Sequence, residues 1–288
     1  MAVGSRSADR RMVTALTRDR DTAAESRRVL ATVRPDRVAV EEPMEIRVGP
    51  PRGDAVTVTV TMRTPGHDFE LAVGFLLSEG ILASSREVRA VMYCERPEGE
   101  EQQYNIVTVR STAQRVVVPR TMLTSSSCGI CGTASLEALD RTITPMCADD
   151  GPVFAADVLL DLPGKLLASQ RIFATTGGLH AAGLAAADGV VRTVREDVGR
   201  HNAVDKVIGH AALNHEFPLD RFALVVSGRA SFEIVQKAAM AGIPLLVAVS
   251  APSSLAVEAA ERAGITLVGF TRSDSANVYT HPARVALD

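Results

Sequence analysis

The C-terminal half of this 288-residue chain predicts an α/β fold built on a buried parallel sheet. Three continuous apolar runs carry that reading: Phe222–Ser227, Leu245–Ser250 and Ile265–Phe270. Helical stretches separate them. Phe232–Ala241 places apolar residues at helical spacing, and Ser254–Ala263 is Ala-rich and ends at Gly264. Strands covered on both faces read as unbroken apolar runs, and crossover helices between them give β-α-β-α-β.

The earlier elements follow in order. Residues 1–37 are rich in Arg, Ala, Ser, Thr and Asp with little periodicity, so a mobile tail is expected, with order beginning near Arg37. Val56–Met62 alternates strictly, as a half-buried strand does. Pro65-Gly66-His67 reads as a turn and Asp68 as a helix N-cap. Phe69, Ala72, Val73, Leu76 and Leu77 then form one apolar stripe, which Gly80 ends. Strand-like stretches at Val88–Cys94 and Asn105–Arg110 flank an acidic loop, Glu95–Gln103. Pro152–Ala168 is helical in pattern, and His201 opens an amphipathic helix with Ala203, Val204, Val207, Ile208 and Ala211 on its apolar side. The expected division is a tail over 1–37, a smaller N-terminal α+β subdomain over 38–150 with a cysteine loop at 124–132, and a C-terminal α/β domain over 151–288.

Composition narrows the function. Apolar residues make up 46%, enough for a substantial core, and the net charge of −3 comes from mixed signs. A nucleic-acid binder would show a basic excess or aromatic stacking surfaces, but Trp is absent and aromatics are only 4%. No apolar run approaches the roughly 18 residues that span a bilayer. Arg6, Arg10 and Arg11 are not followed by an apolar segment, so no secretory signal is read and a cytoplasmic protein is expected.

The four cysteines are Cys94, Cys128, Cys131 and Cys147. Cys128-Gly-Ile-Cys131 lies in a run of small residues, Thr124 to Gly132, which has no period and reads as a loop. Such a pair serves as half a zinc site, a dithiol switch or a sulfur relay. Zinc requires a second ligand pair, and Cys94 and Cys147 stand alone; no metal is expected. The His-x-Glu and Pro-Cys-x-x-Cys pattern of zinc deaminases is missing, since Ser127 precedes Cys128 and His67 is followed by Asp68. A dithiol switch remains open, as does a purely structural reading of small buried thiols. In a relay, a thiolate attacks a donor's sulfane sulfur and a second thiol shields or helps release the cargo. Cys128, the more outward if a helix follows the loop, is the expected bearer, with Cys131 assisting.

Ligands of open α/β sheets bind beyond the carboxyl ends of the strands. Three segments fall there: Ser227-Gly228-Arg229, Ser250–Ser253, and Phe270 through Thr271, Arg272, Ser273, Asp274 and Ser275. Small hydroxyl residues admit phosphates closely, a helix N-terminus after each loop favours an anion, and Arg229 and Arg272 suit bidentate contact with a diphosphate. Surface charge is the bland reading of both arginines. His180, after Gly177-Gly178, and His201 are candidate contacts for the same ligand, with local turn or capping roles as the alternative. The chain lacks both the P-loop and the Gly-x-Gly-x-x-Gly patterns.

Thr124-Ser-Ser-Ser-Cys128-Gly-Ile-Cys131-Gly-Thr strongly resembles the cysteine loop of the FdhD family, the formate dehydrogenase accessory sulfurtransferases. Similar matches are Glu41–Val48, Met62–Gly80, Thr176–His180, Arg195–Lys206, Ser227–Arg229 and Gly269–Arg272, so the likeness runs from about Glu41 to the C-terminus. The resemblance implies sulfur carried from a cysteine desulfurase, as a persulfide on the loop, to the bis(molybdopterin guanine dinucleotide) form of the molybdenum cofactor for formate dehydrogenase. It also implies a homodimer, and a three-layer C-terminal domain similar to the cytidine-deaminase-like fold without its zinc. A non-catalytic chaperone that holds the cofactor is the alternative, and a zinc- or nucleotide-dependent hydrolase is a third reading.

Overall fold

A computed structural model describes residues 7–18, 29–94, 104–113, 146 and 151–287. The parallel unit read from the apolar runs is present as β10 (Ala223–Val226), α5 (Phe232–Met240), β11 (Leu245–Ala248), α6 (Ser254–Ala263) and β12 (Thr266–Gly269). Alternate residues of β10 enter different cores. Ala223 and Val225 pack with Leu159, Leu162 and Leu166 of α2 (Ala156–Ser169), while Leu224 and Val226 pack with α5, α6 and α4 (Arg200–Leu213). Burial on both faces is what removes the polar alternation from these strands. The result is three layers, with α2 on one face and α4, α5 and α6 on the other.

The sheet extends beyond the parallel strands. Its order is β13-β12-β11-β10-β8-β9, where β8 (His180–Ala185), β9 (Val191–Asp197) and β13 (Asn277–Thr280) run antiparallel to their neighbours. A short helix α3 (Phe173–Thr176) precedes β8, and β7 (Phe154–Ala155) pairs with β14 (Val285–Ala286).

In the N-terminal part, β3 (Glu42–Gly49), β4 (Val56–Arg63), β5 (Val88–Tyr93) and β6 (Ile106–Ser111) form a sheet of order β4-β3-β6-β5. Helix α1 (Asp68–Ser78) packs against this sheet and, on its other side, against α4. The two helices touch backbone to backbone. A Cβ on Gly74 would lie 1.8 Å from the Asp205 carbonyl oxygen, and one on Gly209 would lie 1.8 Å from that of Glu70. One apolar cluster therefore runs from Met44 and Val107 through α1 and into α4–α6.

Three expectations are corrected. Residues 8–18 and 29–39, placed in the tail, form the paired antiparallel strands β1 (Ala8–Arg18) and β2 (Val29–Ala39), so structure begins well before Arg37. Asp68 is the first residue of α1 rather than its cap; His67 occupies the cap position in the left-handed region, and Asp68 is spent on a buried ion pair with Arg63. Helices follow the first two strand-tip loops, but β13 follows the third. The acidic loop and the cysteine loop lie outside the described residues.

Among the described residues no helix is long and apolar enough to cross a membrane.

Candidate functional site at the strand tips

The three parallel strands end together, and their loops are knitted by backbone hydrogen bonds. The Val249 N–H donates to Val226, that of Ser250 to Gly228, and that of Thr271 to Ala248. The Phe270 N–H donates to Ser250 at 3.2 Å and holds Phe270 at φ 52°, a conformation that bulky residues rarely adopt. The chain turns sharply there and sends Thr271 inward. Beside this turn lies a cleft of about 710 Å³. It is lined by Leu166 and Leu167 of α2, by Phe173 of α3, and by the loops after β10, β11 and β12.

Six of the candidate residues come together on this cleft: Gly178, His180, Ser227, Thr271, Arg272 and Ser273. The Thr271 side chain is fully buried and its hydroxyl has no hydrogen-bond partner among the described residues. A buried hydroxyl left unpaired costs about 1–3 kcal/mol. Arg272 is exposed, and its Nη1 donates to the carbonyls of Val249 and Thr271, which ties the guanidinium to the loops after β11 and β12. The Ser227 Oγ accepts from the Ala181 N–H at 2.9 Å, which ties the β10 loop to β8. Burial, and next to it the charge of Arg200, holds the His180 ring below its ordinary pKa, so it stands neutral on the cleft wall.

Five candidates lie outside the cleft lining. Phe270, Asp274 and Ser275 are exposed after β12, and Arg229 is exposed after β10. His201 sits behind the site, with Nε2 3.5 Å from Ser231 Oγ and 3.9 Å from Glu233. Burial chiefly, then Arg200 and Lys237, lowers its pKa to about 4. Cys128 and Cys131 fall outside the described residues.

Sequence reasoning missed Arg200. Its Nε is buried without a partner among the described residues, and a Cβ on Gly228 would stand 3.6 Å from His180 and 3.7 Å from the Arg200 side chain, so all three residues meet at the β10 loop. The signal was present as a cation on the first residue of α4, next to the histidine that was chosen instead. The apolar wall was missed because α2 reads only as an amphipathic helix.

Most charged residues of the Arg195–Lys206 segment belong to a different structure, the seam between α1 and α4. Asp197 and Lys206 are completely buried and 2.7 Å apart, and Asp197 also accepts from the N–H groups of Thr64 and Gly199 and from Asn202. Lys237 reaches Asp205 at 3.0 Å and Glu79 at 2.8 Å. Burial pulls the Lys237 pKa down, but Asp205 and Glu79 outweigh it and hold the ammonium above its ordinary range. Glu70 accepts from Arg195 at 2.8 Å and lies 3.0 Å from His210. Its burial pushes the carboxyl up, and Arg195 and His67 more than offset this and hold it well below the carboxylate range.

The comparisons with known proteins agree with one another. The model of the FdhD/NarQ family matches residues 39–286. The sulfur carrier protein FdhD of Streptomyces coelicolor is 52% identical over 263 residues, covering 89% of this chain and 91% of its own. That of Mycobacterium tuberculosis is 53% identical over 260 residues, covering 88% and 92%. The crystal structure of a candidate formate dehydrogenase accessory protein from Desulfotalea psychrophila superposes with a TM-score of 0.72 at 23% identity, over 96% of this chain and 99% of that one, which establishes a shared fold. With a family model across most of its length and relatives half identical along nearly nine-tenths of it, this chain belongs to the FdhD/NarQ family.

Proposed function

We propose that the protein is a cytoplasmic sulfur carrier that serves formate dehydrogenase, taking sulfur on the Cys128–Cys131 loop and passing it to a molybdenum–pterin nucleotide anchored in the strand-tip cleft. The reading rests on the names of the relatives and on one observation: a cleft lined by Arg272 and by Thr271, whose fully buried hydroxyl has no partner among the described residues. Its size lies within the usual range of small-molecule sites, about 300–1,000 Å³, and suits one nucleotide arm of the acceptor rather than the whole dinucleotide cofactor. The Arg272 fork matches a diphosphate, and the neutral His180 ring offers a hydrogen bond at no cost in charge.

In the chemistry proposed, the Cys128 thiolate attacks the outer sulfur of a desulfurase persulfide. The donor's S–S bond breaks, the donor cysteine leaves as thiolate, and Cys128 holds a persulfide. The Cys131 thiolate then attacks the Cys128 sulfur. A disulfide forms between the two, the outer sulfur leaves as hydrosulfide for the metal, and a cellular dithiol reduces the pair.

The test is intact-protein mass spectrometry after incubation with a cysteine desulfurase and L-cysteine. A gain of one sulfur atom in the wild type that is absent from Cys128→Ala/Cys131→Ala supports the carrier. No gain in either protein leaves the cleft as a holding site and removes the sulfur-transfer role.

A further inference from the structure

The ribbon of β1 and β2 is the least explained part of the molecule. It pairs eleven residues of each strand, from Ala8↔Ala39 at its root to Arg18↔Val29 at its tip, a length of about 37 Å. A two-stranded ribbon is marginal in water by itself, and among the described residues neither strand has a further strand partner. Residues directly opposite one another share a face. Asp9, Arg11, Val13, Arg34 and Asp36 therefore lie on one side, where Arg11 pairs with Asp9 at 2.8 Å and Arg34 lies 3.7 Å from Asp36. The other side is an aliphatic stripe. Met12, Leu16, Val33 and Val29 on it are 66%, 71%, 65% and 55% exposed. Arg10 and Arg37 flank the stripe at one end and Arg18 at the other, with no carboxylate on that face.

The root of the ribbon stands at the cleft. α3 packs beside β2, and a Cβ on the cleft residue Gly178 would lie 3.6 Å from the Ala39 side chain. We propose that the aliphatic face and open edges of this ribbon dock the polypeptide that receives what the cleft holds, through an extended segment with aliphatic side chains on one face and carboxylates at both ends. The open edges supply backbone N–H and C=O groups that an added strand satisfies, and the three arginines select acidic flanks. A lipid surface offers no partner for those backbone groups. A second copy stacked on the same face about a two-fold axis would bring arginines against arginines with no acid between them. The identity of the recipient rests on the proposed function, so the probe is formate dehydrogenase purified without its cofactor.

The experiment measures binding of that enzyme to the full chain by biolayer interferometry, for wild type, Leu16→Glu/Val33→Glu and Arg10→Glu/Arg37→Glu. Guanosine diphosphate affinity, sedimentation and thermal midpoint are followed in the same proteins. The expected result is at least tenfold weaker binding of the enzyme by both variants, with nucleotide affinity, oligomeric state and thermal midpoint unchanged. Equal affinity of all three proteins for the enzyme overturns the ribbon proposal and leaves the carrier reading intact. A change in oligomeric state in the variants overturns it in favour of a second copy, and wild-type binding to phosphatidylglycerol vesicles that the variants lose overturns it in favour of a membrane. If wild type does not bind the enzyme at all, this proposal and the service to formate dehydrogenase fall together.

Discussion

The seam between α1 and α4 and the cleft at the strand tips both concentrate polar groups, and they treat them in opposite ways. In and beside the seam the buried and half-buried charges meet opposite charges: Asp197 with Lys206, Asp205 with Lys237, Glu70 with Arg195, Arg63 with Asp68. In the cleft the buried hydroxyl of Thr271, and behind it the Nε of Arg200, have no partner among the described residues. The first arrangement fixes two backbones against each other and is closed to anything else. The second leaves hydrogen-bonding capacity unused among the described residues, which is the feature the proposed function draws on. A run of charged residues in a motif is therefore no guide to the site until its partners are known.

The comparison can be broken most severely at Asp197. Asp197→Ala leaves the Lys206 ammonium buried and uncompensated, and chemical denaturation should show a loss of about 3–5 kcal/mol. Replacing both partners, as Asp197→Leu/Lys206→Met, should recover most of it. Gly74→Ala should cost about 3 kcal/mol in the same assay, because the new Cβ meets the Asp205 carbonyl at 1.8 Å and the helices must part. A variant as stable as wild type would mean that the seam yields freely.

Acid separates His201, outside the cleft lining, from the seam by pH range, and in both cases stability falls as the pH falls. The pKa of His201 is lowered to about 4 in the folded protein, so between pH 6.5 and 4 the unfolded chain binds a proton that the folded chain refuses. Stability should fall across that window, and His201→Gln should flatten the slope by about 1–2 kcal/mol, given ~1.4 kcal/mol for each tenfold change in proton affinity and a ring still partly exposed. Glu70 is also held low, so its contribution is present at neutral pH and disappears only as pH falls below the ordinary carboxylate range. That lower branch should persist in His201→Gln and vanish in Glu70→Gln.

Sequence reading found the parallel unit because continuous apolar runs and helical spacing are local properties, and Ser254–Ala263 appears with the bounds it was given. It did not find β8, whose His-Ala-Ala-Gly-Leu-Ala lacks the branched residues that mark a strand. The ribbon was missed for a related reason. Five arginines among Ala and Thr resemble a disordered composition even where the alternation of a strand runs beneath them. Asp68 reads as a cap because an acid ahead of an apolar helical stripe suits that role, and its partner Arg63 lies before the turn, out of local view. The pairs Arg195–Glu70 and Asn202–Thr61, separated by 125 and 141 residues, leave no trace in a single sequence. The rule that ligands sit beyond the strand ends pointed to loops that do line a cleft, but it could not say which side chains point inward. Thr271 enters and Asp274 does not because of the turn at Phe270.

The smallest expected effect in energy bears most directly on the cleft. Calorimetric titration of guanosine diphosphate into wild type, Thr271→Val and Arg272→Ala should give roughly tenfold weaker binding for each variant, about 1.4 kcal/mol. Thr271→Val should be no less stable than wild type, since its hydroxyl has no partner among the described residues to lose. Identical affinities in all three proteins, or a Thr271→Val variant that binds normally and unfolds more easily, would show that this hydroxyl serves the fold and that the acceptor is held elsewhere.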